Sequence, residues 1–470
     1  NFTTGGTNLT STTNPTAKLV ASSKTNKADA TYYVGVYIKN NTYTYSTTAK
    51  TPEVLLTIKD EKGSNVTSVD GLTYTTSGGI SGFDVTDKTG LFNIKTDYPI
   101  ATTSSTTGTT HTWTFTLTFV NLSTDQSINE NANMNIDVYL QKKAFPSTVA
   151  DVCSGGETLA SCVTTLSQKS ISPETNIYHH DTSLTNGAGD NSYRFAGASD
   201  VVNNFVCFGS NESTCPTDNL YRIIGVFGDK VKLIKSDYAT SALLGADGDY
   251  KQAYTATGYS SSNYKGNNLA NIAGYSWNYK NNTTINSGYG SNTWSTSLLN
   301  KTNLNKNFIT NIGADWAAKI AETTWKVGGN TWSNIGTQPA KTAYQNEIVS
   351  PVTTNTTDNT TDYSAKVGLM YVSDYMYAAP QDKWTLVGNG SETTDYRAAT
   401  SVNWMYMGLY EWTISRSADY AYYVFSVLSI GDVDYNYANG AFAVRPVFYL
   451  TSSVNYASGS GSAADPIVVN

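Results

Sequence analysis

The sequence predicts a mostly β protein with a minor α component, in which an immunoglobulin-like β-sandwich is followed by an α+β part. Three observations lead to this prediction. Before residue 143, several short runs alternate apolar and polar residues with the period of a β-strand. Turn-forming Gly, Ser, Thr and Asn residues separate those runs. Helical patterns are few, and they lie in the second part of the chain.

The first part, residues 1–143, is strand-like throughout, with runs at 31–39, 53–59, 111–120 and 134–140. Two of these runs alternate cleanly. The apolar residues that share one face are Trp113, Phe115, Leu117 and Phe119 in one run, and Met134, Ile136, Val138 and Leu140 in the other. Half-buried strands without helices predict the sandwich. No catalytic constellation is present, so we expect a stalk or spacer.

Residues 144–176 are predicted to be a linker that contains a local disulfide loop. The four cysteines, Cys153, Cys162, Cys207 and Cys215, form two local pairs in polar loops, and none makes a CxxC motif. Of the three connectivities that four cysteines allow, we favour Cys153 with Cys162 and Cys207 with Cys215. Such disulfides are typical of an oxidising compartment.

Residues 177–470 are predicted to form the α+β part. A β-hairpin is indicated where 221–227 and 230–235 flank the turn dipeptide Gly228-Asp229. A helix is predicted over 307–320, because Phe308, Ile309, Ile312, Trp316 and Ile320 fall on one stripe, with Gly313 as an unfavourable residue inside it. A shorter helix is expected to begin near Ser295.

Composition narrows the function classes. Charged residues make up 14% of the chain, against about 25% in average globular proteins. The net charge is -7, and no Lys/Arg cluster is interleaved with aromatic residues, which argues against nucleic acid as a partner. No run of about 18 apolar residues exists, so we expect no membrane span in this chain. The polar first residues lack the features of a signal peptide, and we expect a processed or trimmed chain.

The C-terminal hairpin, residues 422–450, is the most informative stretch. Phe425, Val427, Val433 and Tyr435 keep the period-2 apolar pattern around a turn at 429–431. The alternate residues have no common chemistry and resemble a displayed surface rich in Tyr, Ser, Asn and Asp. We therefore predict a ligand-binding face that consists of Asp419, Tyr420, Tyr422, Ser426, Leu428, Asp432, Asp434, Asn436, Tyr437 and Asn439.

Five segments of the second part resemble a family of bacterial surface proteins common among gut Firmicutes. They are Asn203 to Lys235, Val367 to Ala378, Trp404 to Arg416, Ala443 to Leu450, and the tail ASGSGSAADPI at 457–467. The resemblance covers residues 177–470 and implies the formylglycine-generating-enzyme-like version of the C-type lectin fold. In relatives, the segment that corresponds to Ser417 through Phe442 varies most, in some of them through diversity-generating retroelements.

The resemblance divides the hairpin into two classes of residue. Trp412, Phe425, Val427, Gly431, Val433, Tyr435 and Arg445 would be framework. Ser426, Leu428, Asp432, Asp434, Asn436 and Tyr437 would be read out by a ligand. Related architectures place such domains on a pilin-like or anchored surface stalk, which fits an all-β first part.

The chemistries best known for this fold lack their residues. The oxidase needs a pair of late cysteines, and no cysteine follows Cys215. The calcium-binding motifs of sugar-binding C-type lectins are absent, and Asp432 and Asp434 are explained equally well by surface display. His179-His180-Asp181 is interpreted as a polar turn. Glu411 is a single carboxylate without a partner, for which framework hydrogen bonding is the favoured role.

We accordingly expect a non-enzymatic protein with no cofactor and no metal site. Most tryptophans are assigned to the core, with Trp384 the best candidate for exposure. The function that the sequence favours is that of an exported, adhesin-like protein at the bacterial cell surface, whose ligand is an unknown protein or glycan. The alternative is a structural subunit of a pilus-like filament or surface layer, which self-assembles and whose exposed face is diversified.

Overall fold

A computed structural model describes residues 7–20, 28–102, 108–171, 175–279, 288–351 and 360–470. The chain divides into two compact units, residues 1–145 and 146–470. Strands far outnumber helices among the described residues, which confirms the prediction of a mostly β protein. The first six residues, on which the expectation of a processed N-terminus depends, and residues 172–174 of the predicted linker lie outside the described ranges.

The first unit is built from strands. They are β1 (Leu9–Thr13), β2 (Thr16–Leu19), β3 (Ala28–Asn41), β4 (Val54–Lys59), β5 (Thr73–Ser77), β6 (Ile80–Asp84), β7 (Gly90–Thr102), β8 (Thr109–Thr112), β9 (Thr114–Phe119) and β10 (Met134–Gln141). One sheet has the order β1-β9-β4-β6-β5, a second has the order β10-β3-β7, and β2 pairs with β8. All four predicted strand runs are present.

One hydrophobic core joins the two larger sheets of the first unit. Val36 from β3, Leu56 from β4 and Phe115 from β9 are among its buried members. Trp113 is fully buried, and its Nε1 donates a hydrogen bond to the Tyr32 hydroxyl at 2.7 Å. The unit is therefore a two-layered β structure, as the alternating patterns predict.

A buried carboxylate ties the loops of the first unit together. Glu53 is fully buried and accepts hydrogen bonds from Gln126 Nε2 at 2.8 Å and from Asn129 Nδ2 at 2.9 Å. The backbone N–H of Ser46 donates to its other oxygen. Since no cation is recorded beside Glu53 among the described residues, these three donors stabilise its buried polar atoms.

The second unit contains the remaining strands and the helices. Its strands are β11 (Ile177–His179), β12 (Tyr193–Phe195), β13 (Phe205–Cys207), β14 (Leu220–Phe227), β15 (Lys230–Lys235), β16 (Tyr250–Ala253), β17 (Ala273–Tyr275), β18 (Thr323–Lys326), β19 (Gly329–Asn330), β20 (Asp362–Ala365), β21 (Val367–Gly368), β22 (Glu411–Ser417), β23 (Tyr423–Val427), β24 (Val433–Tyr437), β25 (Val447–Tyr449), β26 (Tyr456–Ser458) and β27 (Ile467–Val469). Its α-helices are α1 (Leu159–Lys169), α2 (Ser241–Leu244), α3 (Ile309–Asn311), α4 (Ala314–Ala318), α5 (Trp332–Ile335), α6 (Ala340–Tyr344) and α7 (Val372–Tyr377). Two further segments are π-helical, Leu299–Phe308 and Gln345–Val349.

The largest sheet of the second unit has the order β21-β25-β15-β14-β13-β27-β26, with β11 and β12 joined to it at β14. The predicted hairpin is confirmed as β14 and β15. Lys232 of β15 is buried, and its Nζ lies 2.5 Å from Asp374 Oδ2. Arg194, also buried, pairs with Asp190 at 2.7 Å. Both faces of β15 are therefore inside the core, and the buried Lys232 is paired with Asp374.

The helix predicted over 307–320 is wrong in its bounds. Helical structure begins earlier, at Leu299, and breaks at Gly313, whose φ is +85°. A left-handed residue ends the regular hydrogen bonding, and α4 then begins at Ala314. The predicted apolar stripe is nevertheless buried at Phe308, Ile312, Trp316 and Ile320. Near Ser295 there is a short 3-10 turn, Trp294–Thr296.

Part of the segment predicted to be a linker belongs to the core of the second unit. Leu159, Val163 and Leu166 on one side of α1 are buried there. Thr158 caps the helix by accepting a hydrogen bond from the Ser161 N–H at 3.2 Å. The amphipathic spacing of these residues explains why a segment with many turn residues also contains a docked helix.

Both predicted disulfides are present. Cys153 is bonded to Cys162, and Cys207 to Cys215, each with a Cα–Cα distance of 5.8 Å. Among the residues that the structure describes, none of the helices has both the length and the apolar character needed to cross a lipid bilayer.

The expected exposure of Trp384 is wrong, because its side chain is fully buried. Its Nε1 donates to the Ala379 carbonyl at 2.7 Å. Its ring lies 4.8 Å from that of His180 and 5.1 Å from that of Tyr377. His180 is itself buried, and burial holds the pKa of its imidazole well below the usual range. Aromatic packing thus explains both residues.

Candidate binding surface

The C-terminal hairpin belongs to a small sheet with the order β19-β22-β23-β24. Strands β23 and β24 pair in register, with Tyr423 opposite Tyr437 and Phe425 opposite Tyr435. The turn closes through a hydrogen bond from the Leu428 N–H to the Asp432 carbonyl at 2.9 Å. Gly431 in that turn has φ +99°, which favours glycine. The predicted strand pair and its turn are therefore confirmed.

Buried contacts hold the hairpin to the rest of the unit. Trp412 stacks on Phe442 with ring centroids 4.2 Å apart, and its Nε1 donates to the Tyr275 carbonyl at 2.8 Å. Thr413 Oγ1 donates to the Phe425 carbonyl at 2.7 Å. These side chains fix the strands from below, as expected of framework residues.

Glu411 and Arg445 form a buried ion pair where the hairpin meets the main body. Arg445 Nε and Nη2 each donate to one Glu411 oxygen at 2.8 Å, and Nη2 also donates to the Met405 carbonyl at 2.7 Å. Burial raises the pKa of Glu411, and the neighbouring guanidinium opposes that rise. The pair has bidentate geometry, so framework hydrogen bonding is the role that the structure gives Glu411.

The burial of a hairpin side chain depends more on its position along the strands than on which face it occupies. Ser426 is fully buried and Asp432 is only 4% exposed, so both predictions of display are wrong. Ser426 is held inside the hairpin, where its Oγ donates to the Asp434 carbonyl at 3.2 Å and accepts from Asn436 Nδ2 at 2.9 Å. Asp432 is covered by the loop that contains Asn389, whose Nδ2 donates to Asp432 Oδ2 at 3.2 Å.

The exposed aromatic residues of the hairpin lie at its open end, while Ile430 is exposed at the turn. We define the tyrosine surface by six side chains whose rings contact one another: Tyr289, Tyr420, Tyr422, Tyr423, Tyr435 and Tyr437. Tyr437 is stacked between Tyr289, at 4.3 Å, and Tyr423, at 4.8 Å. Tyr289, Tyr420 and Tyr437 are 44%, 45% and 39% exposed. The result is a continuous aromatic surface that presents hydroxyl groups.

The other predicted face residues do not all lie at this surface. Asp419 is exposed. The half-buried members of the prediction are Tyr422, Leu428, Asp434, Asn436 and Asn439. Asp434 and Asn436 lie on the opposite face of the two strands from Tyr435 and Tyr437, because neighbouring strand residues point to opposite sides. The predicted set is therefore split between the tyrosine surface and the reverse of the hairpin.

A buried asparagine holds the loop that carries Tyr420 and Tyr422. Asn292 Nδ2 lies within hydrogen-bond distance of the carbonyls of Ser417 and Tyr420, both at 2.8 Å, and of Tyr423 at 3.0 Å. The Asn292 N–H donates to the Ala421 carbonyl at 2.8 Å. One side chain thus satisfies several loop carbonyls, and the loop is fixed without regular secondary structure.

The electrostatics of the hairpin are dominated by carboxylates. Burial raises the pKa of Asp432 to about 6, against the influence of Arg397, and burial also raises the pKa of Asp434. The Tyr437 hydroxyl raises the pKa of Tyr423, and burial raises that of Tyr435. Tyr423 and Tyr435 therefore keep their hydroxyl protons at physiological pH and can donate hydrogen bonds.

Sequence reasoning missed four residues at this site. Tyr435 was assigned to the framework, but it is half-buried and contacts the ring of Tyr423 at 4.6 Å. Tyr423 falls in the same period-2 set as Phe425 and Val427, and this alternation is the sequence signal that could have identified it. Tyr289 comes from a distant loop and Trp332 from the start of α5, and the Trp332 ring lies 5.2 Å from that of Tyr435. Their place at the surface depends on tertiary folding.

Within the described ranges, no group of three or more His, Cys, Asp or Glu side chains is arranged to hold a metal ion. Comparison of the chain with protein-family models, with curated proteins and with solved structures found no match.

Proposed function

We propose that this chain is an exported protein of the bacterial cell surface that binds a protein or glycan ligand through the tyrosine surface. The observation that carries the proposal is the contact network of six tyrosines, three of them between 39% and 45% exposed. Tyrosine provides broad contact area at small entropic cost, together with a hydroxyl group for hydrogen bonding. Clustered exposed aromatic residues are typical of recognition surfaces.

The rigidity of the support favours binding. The hairpin is joined to the core by Thr413, Trp412 and the Glu411–Arg445 pair, while Asn292 fixes the neighbouring loop. A pre-organised surface loses less conformational entropy when it binds. The two disulfides are compatible with an oxidising, extracellular environment. In this proposal the protein acts without catalysis.

In finer detail, we propose an immunoglobulin-like arrangement for the first unit and a C-type-lectin-like arrangement for the second. The hairpin and its flanks, residues 417–442, would be the variable segment. The buried residues Phe425, Val427 and Val433 support this division, since they supply a fixed core beneath changeable positions. An alignment of close natural relatives tests it: substitutions should concentrate at Asp419, Tyr420 and similar exposed positions, and uniform substitution across the hairpin would contradict it.

A binding experiment tests the proposed function. Purified protein is applied to arrays of glycans and of intact cell surfaces, in parallel with a double variant, Tyr420→Ala with Tyr437→Ala. Tyr279→Ala is the matched control, because Tyr279 is also 39% exposed but has no recorded ring contact with the tyrosine surface among the described residues. The proposal predicts signals that the double variant loses and the control retains. Signals that all three proteins share would contradict it.

A second candidate function, a subunit of a self-assembling filament, is favoured by an observation in the first unit. Strands β1 and β10 are the edges of their sheets, and they flank an open groove of about 690 Å³. Leu56 and Phe115 line that groove, and all five residues of β1 are exposed. Unpaired strand edges are templates for another chain. Electron microscopy of the native cell surface should show filaments if this candidate is right, and isolated particles if it is wrong.

A further inference from the structure

One corner of the candidate site combines aromatic rings with a carboxylate. The ring of Tyr435 lies 5.2 Å from that of Trp332 and 6.4 Å from that of Tyr420. The Trp332 and Tyr435 planes are nearly perpendicular, at 84°. The exposed Asp419 accepts a hydrogen bond at its Oδ2 from the Trp332 backbone N–H at 3.3 Å. We call these four residues the Trp332 corner.

The Trp332 corner packs on the buried Phe425 and is exposed to solvent at Tyr420. Phe425 is fully buried beneath it, with its ring 5.9 Å from that of Tyr435 and parallel to that of Trp332 at 6.4 Å. Trp332 and Tyr435 are half-buried, whereas Tyr420 is 45% exposed. Trp332 and Tyr435 therefore pack edge to face, and Tyr420 beside them is the most exposed ring of the corner.

The segment that carries Asp419, Tyr420 and Tyr435 is negatively charged. Residues 417–442 contain three Asp and no Lys or Arg. Asp434 and Asp419 both lie near enough to help raise the pKa of Tyr435, although burial and then the Tyr420 hydroxyl contribute more. Elsewhere in the second unit, cations of the chain itself cover ring faces, such as Lys251 over Tyr279 at 3.8 Å and Arg222 over Phe205 at 4.1 Å. Among the described residues, no cation is recorded over a ring of the Trp332 corner.

We propose that the Trp332 corner is a subsite for a cationic side chain, lysine or arginine, presented by a protein ligand. Ring faces attract a cation through their quadrupole, and a neighbouring carboxylate supplies the opposite charge. Charge complementarity of this kind gives specificity and speeds association. The inference rests on the proposed function, since it names the ligand chemistry for one part of the tyrosine surface.

The test uses the full chain labelled with 5-fluorotryptophan, and the Trp332 resonance is assigned by its loss in Trp332→Phe. Four pentapeptides, Gly-Ser-X-Ser-Gly, are titrated, with X as arginine, lysine, citrulline or acetyl-lysine. The arginine and lysine peptides should shift the Trp332 resonance saturably, while their neutral counterparts should bind at least about fivefold more weakly. Asp419→Asn should weaken the cationic peptides by about three- to tenfold. Asp229→Asn, in the exposed turn between β14 and β15, is the matched control and should not weaken them.

Two results would overturn the inference. One is equal binding of the citrulline and arginine peptides. The other is a Trp332 resonance that none of the peptides shifts. Neither result bears on the proposed function, which fails separately if the ligands found on the arrays are retained by the Tyr420→Ala, Tyr437→Ala double variant. A ligand lost by that variant, together with no response to cationic peptides, would keep the binding surface and reject the cationic subsite.

Discussion

Asp432→Asn is the substitution whose effect is most directly worked out from this structure. Asp432 ends the hairpin turn, and its carboxylate is 4% exposed. Its Oδ2 accepts from Asn389, whereas its Oδ1 has no hydrogen-bond partner among the described residues. An ionised carboxylate in that position is poorly solvated. Burial accordingly raises its pKa to about 6, although Arg397 acts in the opposite direction.

The sign and size of the effect follow from proton linkage. The folded protein keeps the Asp432 proton up to a higher pH than the unfolded chain, in which the pKa is near 3.9. The contribution of protonated Asp432 to the free energy of unfolding is therefore complete below about pH 4, and it is lost as the pH rises through about 6. A difference of about two pKa units corresponds to at most roughly 3 kcal/mol. Asparagine carries no charge, so the variant should escape that loss and be more stable than the native protein at pH 8, by about 1–3 kcal/mol.

Urea unfolding at pH 4.5 and pH 8 measures this difference. Tryptophan fluorescence is a suitable signal, because eight of the nine tryptophans lie beyond residue 270, in the second unit. The advantage of Asp432→Asn should be present at pH 8 and much smaller at pH 4.5. Asp229→Asn, an exposed control, should follow the native protein at both values. If Asp432→Asn loses the same stability between pH 4.5 and pH 8 as the native protein, the reasoning is refuted.

Three further substitutions test buried polar contacts. Asn292→Ala should remove a side-chain donor from the loop carbonyls, cost about 1–3 kcal/mol, and increase hydrogen exchange over residues 417–423. Glu53→Ala should cost a similar amount in the first unit by removing the acceptor of three donors, measured by hydrogen exchange across its strands. Glu411→Gln should cost about 3–5 kcal/mol, because it leaves the Arg445 guanidinium buried without a counter-charge, measured by thermal unfolding.

Each of these substitutions has an exposed counterpart in the same unit. Asn268→Ala, Glu130→Ala and Glu212→Gln replace the same residue types at the surface and should change stability by less than about 0.5 kcal/mol. A buried variant that behaves like its counterpart would show that the corresponding contact does not stabilise the fold. Loss of binding in Asn292→Ala, with unfolding unchanged, would place its effect in the loop alone.

Much of the fold could be predicted from local sequence patterns. The strand runs, the hairpin at Gly228-Asp229 and the C-terminal hairpin are all encoded in period-2 alternation and turn residues. The disulfide pairing follows from short loops between the cysteines. The buried stripe of 307–320 was also correct, but its helical bounds depended on the left-handed Gly313.

The site was harder to predict, because burial depends on what the tertiary fold places nearby. Ser426 and Asp432 have the composition of displayed residues, yet the hairpin and the Asn389 loop cover them. Tyr289 joins the tyrosine surface from a loop more than a hundred residues away in sequence. Trp384 occupies a polar stretch of sequence but packs among aromatic rings. None of these contacts leaves a local periodic signal.

The central claim, that the tyrosine surface is the recognition face, is tested most directly by the affinity of single-tyrosine variants for the first ligand identified on the arrays. Alanine is introduced separately at Tyr289, Tyr420, Tyr437 and the control Tyr279, and Kd is measured by titration calorimetry. At least two of the three surface variants should weaken binding by about tenfold or more, as expected of aromatic hot spots, while Tyr279→Ala stays within about twofold. Unchanged affinity in all three surface variants would contradict the account.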